Sequence, residues 1–186
     1  MPARCAIFLA LAVLQAQAFT RFIDHATPVR VRIDNDAGAP AGVIDYARAE
    51  CSRILKNAGI AVEWTTAGRP ADLRVTISSE PGGTQRSVLG YVLRNWEGAS
   101  AYVIWPRVGP WLGIDTPAFE IVGRVMAHEI GHLLLGNAPH SETGIMRAVW
   151  TADDLRSSAW GAFFFTPAEQ SQMRAEATRR CAHTVY

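Results

Sequence analysis

The chain has 186 residues, 49% hydrophobic and 19% charged, enough for one domain with its own apolar core. Eighteen Lys and Arg stand against 17 Asp and Glu, a balance that gives nucleic acid or an anionic membrane surface no electrostatic pull. No apolar run reaches the roughly 18 residues of a membrane span, and no internal repeat is visible.

The first eighteen residues, MPARCAIFLALAVLQAQA, carry one charge at Arg4, an apolar run from Cys5 to Leu14, then Ala16-Gln17-Ala18. That is the pattern of a secretory signal peptide cleaved after Ala18. Residues 1–18 are read as an export signal and 19–186 as a single domain, secreted or periplasmic and monomeric. Cleavage removes Arg4, leaving basic and acidic residues equal, and removes Cys5. The remaining pair, Cys51 and Cys181, is expected to form a disulfide in an oxidising compartment.

PVRVRID (28–34) alternates apolar and charged residues, as a half-buried strand does. Residues 39–59 are predicted helical, with Val43, Tyr46, Ala47, Ile54 and Leu55 as the apolar stripe and Gly59 as the closing residue. IAVEW (60–64), ADLRVTIS (71–78), SVLGYVLR (87–94) and SAYVIW (100–105) read as strands. Strand, helix and strand in succession imply a parallel pair, and the later close-set strands an antiparallel edge. The expected class is therefore α+β: a mixed, twisted sheet with an antiparallel edge strand, packed helices and a C-terminal helix.

Residues 117–136 form the next predicted helix. Phe119, Val122, Met126, Ile130, Leu133 and Leu134 make an apolar stripe, with His128 and His132 on the opposite face looking into a cleft. Gly136 ends it, in the left-handed conformation on this reading. Thr166-Pro167-x-Glu169 is a capping box opening a last helix of about fifteen residues. The aromatic-rich stretch 147–165 shows no clear element.

HEIGH at 128–132 puts two histidines one helical turn apart, so that both imidazoles reach a single ion, with a glutamate beside the first. The pattern points to zinc, which accepts imidazole nitrogens in a tetrahedral site and activates water. Glu129 is placed to take the proton from that water. A catalytic zinc needs a third protein ligand, and the chain turning back after Gly136 offers His140, with Glu142 as the next candidate. Gly131, inside the helix at a cost of about 1 kcal/mol relative to alanine, signals close approach by another part of the site. His25 and His183 read as surface residues.

The stretch from 128 onward resembles the metzincin superfamily of zinc endopeptidases, and most of all its matrixin-like branch. HEIGH, Gly136, His140-Ser141 and Gly144-Ile145-Met146 match the family's zinc motif and Met-turn in order. The spacing here is one residue longer on each side of Gly136. The resemblance extends more loosely over residues 28–146 through the order of elements.

It implies that Met146 is a hydrophobic floor beneath the zinc and that SVLGYVLR is the edge strand above the cleft. An unpaired edge binds an extended peptide by strand addition, with Leu89, Gly90 and Tyr91 as backbone contacts. It also places Trp150 and Trp160 near the wall of the S1′ pocket. The family's cysteine-bearing propeptide has no counterpart in the short stretch between Ala18 and the first strand. The expectation is a secreted zinc metallopeptidase hydrolysing peptide or protein substrates: His128, His132 and His140 bind the metal, and Glu129 is the general base. A zinc-binding pseudoenzyme or surface-interaction module, or a zinc hydrolase of a non-peptide bond, would use the same ligands.

Overall fold

The computed structural model describes residues 28–80, 88–95, 98–108, 117–136, 138–157 and 163–183. The predicted export signal (1–18), His25, Ser87 and Trp160 lie outside them, as does the side chain of His183.

Alternation builds the sheet. In β1 (Val29–Asn35), Val29, Val31 and Ile33 are buried while Arg30, Arg32 and Asp34 face the other side. β2 (Val62–Thr65), β3 (Leu73–Ser78), β4 (Gly90–Asn95) and β5 (Gly98–Ile104) complete a five-stranded sheet in the order β2-β1-β3-β5-β4. The β1–β2, β1–β3 and β3–β5 pairs are parallel. β4 alone runs antiparallel, at the edge, with Gly90 opposite Val103 and Tyr91 opposite Tyr102. The α+β class and the antiparallel edge expected from the sequence are both present.

The helices gather on the face carrying Val31, Val75 and Val103. α1 (Ala41–Asn57) buries Ile44, Ala47, Cys51, Ile54 and Leu55. That stripe is rotated from the predicted one: Tyr46 is 64% exposed and rests its ring on Phe119, 5.1 Å between centroids. Residues i, i+3, i+7, i+10 and i+11 from Ile44 lie on one side of a 3.6-residue helix, and Tyr46 falls outside them. α1 ends as expected at Gly59 (φ 78°), where Gly59 N–H donates to Lys56 O and Ile60 N–H to Leu55 O, the two bonds of a Schellman cap.

After a single helical turn, α2 (Trp105–Val108), comes α3 (Ala118–Leu135), packed against α1, β5 and the C-terminal helix. It is not amphipathic as the stripe implied: every residue from Ile121 to Leu135 except His132 is buried. A helix buried all round has neighbours on every side. One of these is α1, which approaches so closely at Gly123 that a Cβ there would lie 2.7 Å from Ala47 O.

α4 (Ala152–Ser157) is a helix inside the stretch that looked featureless. It is opened by Thr151 and Asp154, each of which caps the other's backbone N–H. α5 (Pro167–His183) starts at the predicted capping box, Thr166 N–H donating to Glu169 Oε2 at 2.7 Å and Glu169 N–H to Thr166 Oγ1 at 3.4 Å.

The expected disulfide is not formed: Cys51 and Cys181 are both thiols. Cys51 is fully buried on the inner face of α1, whereas Cys181 on α5 sits with Sγ 3.9 Å from Pro28 O at the start of β1. α1 packs on α3 and β2, and α5 packs on α3 and β1, so the even number of thiols does not bring them together. Among the described residues, no helix is long and apolar enough to cross a membrane.

Candidate metal centre

α3 delivers His128, Glu129 and His132. Gly136 then adopts φ 71° and ψ −131°. The positive φ was expected, but this ψ lies outside the left-handed helical region, in territory that in practice only glycine enters. The helix ends there, and His140 comes back beside it, within reach of His132.

His128 Nδ1 lies 2.7 Å from Ile145 O. A carbonyl only accepts, so Nδ1 carries the proton and Nε2 keeps its lone pair for a ligand. His132 Nε2 stands 3.1 Å from His128 Nε2 and 3.1 Å from His140 Nε2, and the ligand atoms of all three lie within 4.8 Å of one another. Two nitrogens each about 2.0–2.1 Å from one tetrahedral ion would be about 3.3 Å apart, so the spacing fits a shared ion. A single proton on His132 Nε2 could serve one of its two contacts, whereas a cation serves all three nitrogens. The three histidines form a group that could hold a metal ion; Glu142 is exposed and outside it.

Burial is graded across the group. His128 is buried, His132 intermediate and His140 exposed. Burial, reinforced by the neighbouring imidazoles, pushes His128 down to about 3. Burial, with His140 and Arg94 beside it, pushes His132 down to about 4. Both are therefore neutral at neutral pH, the form a metal requires. Glu129 is 4% exposed, and burial pushes its carboxyl up to about 8.

A cleft of about 1090 Å³ opens beside these residues. His128, Glu129, His132 and His140 form one wall, Leu89, Gly90 and Tyr91 of the β4 side another, and Trp150 with its neighbours a third. Glu129 and Gly90 are in tight register: a Cβ on Gly90 would lie 2.6 Å from Glu129 Oε1 and 2.7 Å from Tyr102 O.

The backbone contacts expected on β4 need one correction. Ile104 N–H donates to Leu89 O at 2.8 Å. In an antiparallel ladder with this register, hydrogen-bonded pairs alternate with open ones. Leu89 and Tyr91 therefore turn their N–H and C=O groups inward to β5, while those of Gly90, Val92 and Arg94 face outward. Among the described residues, Gly90 and Val92, rather than Leu89 and Tyr91, turn their backbone groups away from β5. Tyr91 instead stacks on Tyr102 across the ladder, with centroids 4.8 Å apart.

Met146 is 1% exposed and packs behind Gly131, where a Cβ would be 2.6 Å from its Sδ. The loop that carries it is pinned by Ser141 N–H to Met146 O at 3.0 Å and Ile145 N–H to Phe164 O at 3.1 Å. Two supports of this loop were missed in the sequence. Ser141 Oγ donates to Glu169 Oε1, tying the residue after His140 to the cap of α5. Trp150 Nε1–H donates at 3.2 Å to Ile145 O, the carbonyl that also orients His128, and its ring meets the His128 ring edge-on at 5.5 Å. The capping box at 166–169 was visible in the sequence; its third partner, 28 residues away, was not.

Comparison of the sequence with models of known protein families and with curated proteins finds no match.

Proposed function

We propose that the chain is a zinc-dependent endopeptidase built like a metzincin, exported through residues 1–18 and acting on peptide or protein substrates. The observation that carries this reading is the convergence of three imidazole Nε2 atoms with one buried carboxyl, Glu129, beside an outward-facing strand edge. His128, His132 and His140 would hold the metal. The donor set suits zinc, which favours nitrogen ligands at tetrahedral spacing.

Zinc, when bound, supplies a Lewis acid for the scissile carbonyl and a field that favours the charged form of Glu129. Glu129 accepts the proton of the attacking water and returns it to the departing amine. The N–H and C=O groups of Gly90 and Val92 align the substrate backbone as an added strand. Gly90, lacking a Cβ, lets that backbone run close to the Glu129 carboxyl. Met146 supports the helix from below, and Trp150 walls the cleft next to His128.

The test is cleavage of a peptide library by the zinc-loaded chain and by Glu129→Ala. Glu129→Ala should retain zinc and lose activity by a factor of roughly 10² or more, the scale of a removed general base. Equal loss of zinc and activity would make Glu129 a ligand or a structural group. Zinc binding with no cleavage by the unaltered chain would favour a pseudoenzyme or a non-peptide substrate.

A further inference from the structure

We propose that Arg94 binds a carboxylate of the substrate, so that the cleft selects peptides carrying an acidic group to one side of the bond that is cut. The proposal rests on the peptidase reading above. Three arginines line the cleft, Arg94, Arg107 and Arg147, and among the described residues Glu129 is the only carboxyl in that lining. Arg147 is occupied by Asp154, with Nη1 2.7 Å from both carboxylate oxygens. Arg107 donates Nη1 to Val88 O at 2.6 Å.

Arg94 differs from both. Its side chain is exposed, and Nη2 lies 2.7 Å from His132 O and 3.4 Å from Gly136 O, at the carbonyl end of α3. Those carbonyls engage one nitrogen of a fork that offers five N–H donors. Among the described residues Arg94 makes no ion pair, whereas Arg30, Arg53, Arg124 and Arg147 all do. Closing the end of a helix needs only a donor; a permanent cation in a substrate cleft is suited to a carboxylate, which a guanidinium grips with two parallel bonds.

The ladder fixes where that carboxylate belongs. Arg94 is the third outward-facing residue of β4 after Gly90 and Val92, about 13 Å along the edge from Gly90 at the strand rise. A peptide lying along that edge brings a group two to four residues from the scissile bond beside the guanidinium. An Asp or Glu side chain and the carboxylate of a chain terminus present the same chemistry there.

Binding, measured apart from turnover, tests the proposal. The zinc-loaded Glu129→Ala chain is titrated with labelled peptides that differ only by Glu or Gln at successive positions, and with pairs that end in a free or amidated carboxyl. The expected result is a single Glu position bound about fivefold tighter than Gln, the upper end for a partly exposed pair. The preference should shrink in about 0.5 M salt. A preference confined to the free-acid member of the second pair would identify a terminal carboxylate as the ligand. Adding Arg94→Gln, which keeps a donor for the helix end, should bring the ratio to about one while zinc remains bound; Arg94→Lys should keep part of the preference.

Ratios of about one throughout, or a preference that survives Arg94→Gln, overturn the proposal. Cleavage by the chain with Glu129 intact is followed in parallel. Acid-selective binding without any cleavage would count against the peptidase reading alone, and cleavage without acid-selective binding against Arg94 alone.

Discussion

Gly131 and Met146 meet beneath the histidine cluster: the sulfur of the methionine occupies the space that a side chain on the glycine would need, 2.6 Å from an ideal Cβ. Phe165 closes the same spot at 2.8 Å. A glycine in mid-helix costs about 1 kcal/mol relative to alanine. The contact accounts for that cost, because it lets the chain after His140 return directly under the ligand-bearing turn.

Gly131→Ala should therefore destabilise the protein although alanine is the better helix former. Overpacking of this kind costs about 1–3 kcal/mol, which exceeds the propensity gain. Urea unfolding of the metal-free chain measures it. A gain of about 1 kcal/mol would mean that Met146 moves aside freely.

Gly90→Ala should separate chemistry from metal binding. The new methyl would press on Glu129 Oε1, Tyr102 O and Val125, none of which is a histidine ligand. Zinc content should hold while peptide cleavage falls by a factor of ten or more, since small displacements of a catalytic group are expensive. Unchanged cleavage would show that Glu129 is not held by this contact.

The metal-free fold should lose stability in both acid and mild alkali. Glu129 titrates at about 8 in the folded chain against an ordinary 4.5, so over that window the folded state holds a proton that the unfolded state has released. Stability therefore falls as pH rises from 4.5 to 8. His128 and His132 run the other way: titrating at about 3 and about 4 instead of 6.5, they make stability fall as pH drops below 6.5. Between pH 7 and 8 only the glutamate acts among these three, with a slope of up to about 1.4 kcal/mol per pH unit. Glu129→Gln should flatten that slope in chelator-treated protein, and parallel curves for the two chains would contradict the assignment.

Both described cysteines should label as thiols after denaturation without reductant. In the native state Cys51 should stay unreactive, because full burial pushes its thiol well above the ordinary range. Cys181, partly exposed, should react first. Absence of both thiols that is reversed by adding reductant would restore the disulfide.

Much of this was written in local pattern. The i, i+4 histidines, the alternation of β1, the glycine after α1 and the Thr166–Glu169 box each involve residues a few positions apart, where backbone geometry alone fixes the outcome. What stayed hidden depends on which surfaces meet. The exposure of Tyr46, the burial of α3 all round and the separation of Cys51 from Cys181 follow from packing between helices distant in sequence. The outward face of β4 depends on the phase of its ladder with β5, which a strand's own residues do not encode. Arg94 could not be singled out because nothing near it in sequence marks the end of α3, 38 residues on, as its neighbour.

Calorimetric titration of zinc into the metal-free chain tests the centre on which the proposed chemistry depends. Three imidazoles already set 3.1 Å apart in two of their contacts should take up about one equivalent, and His140→Ala should weaken that binding by a large factor while leaving the fold intact. Uptake below a tenth of an equivalent by the unaltered chain, or affinity unchanged in His140→Ala, would contradict the three-histidine site.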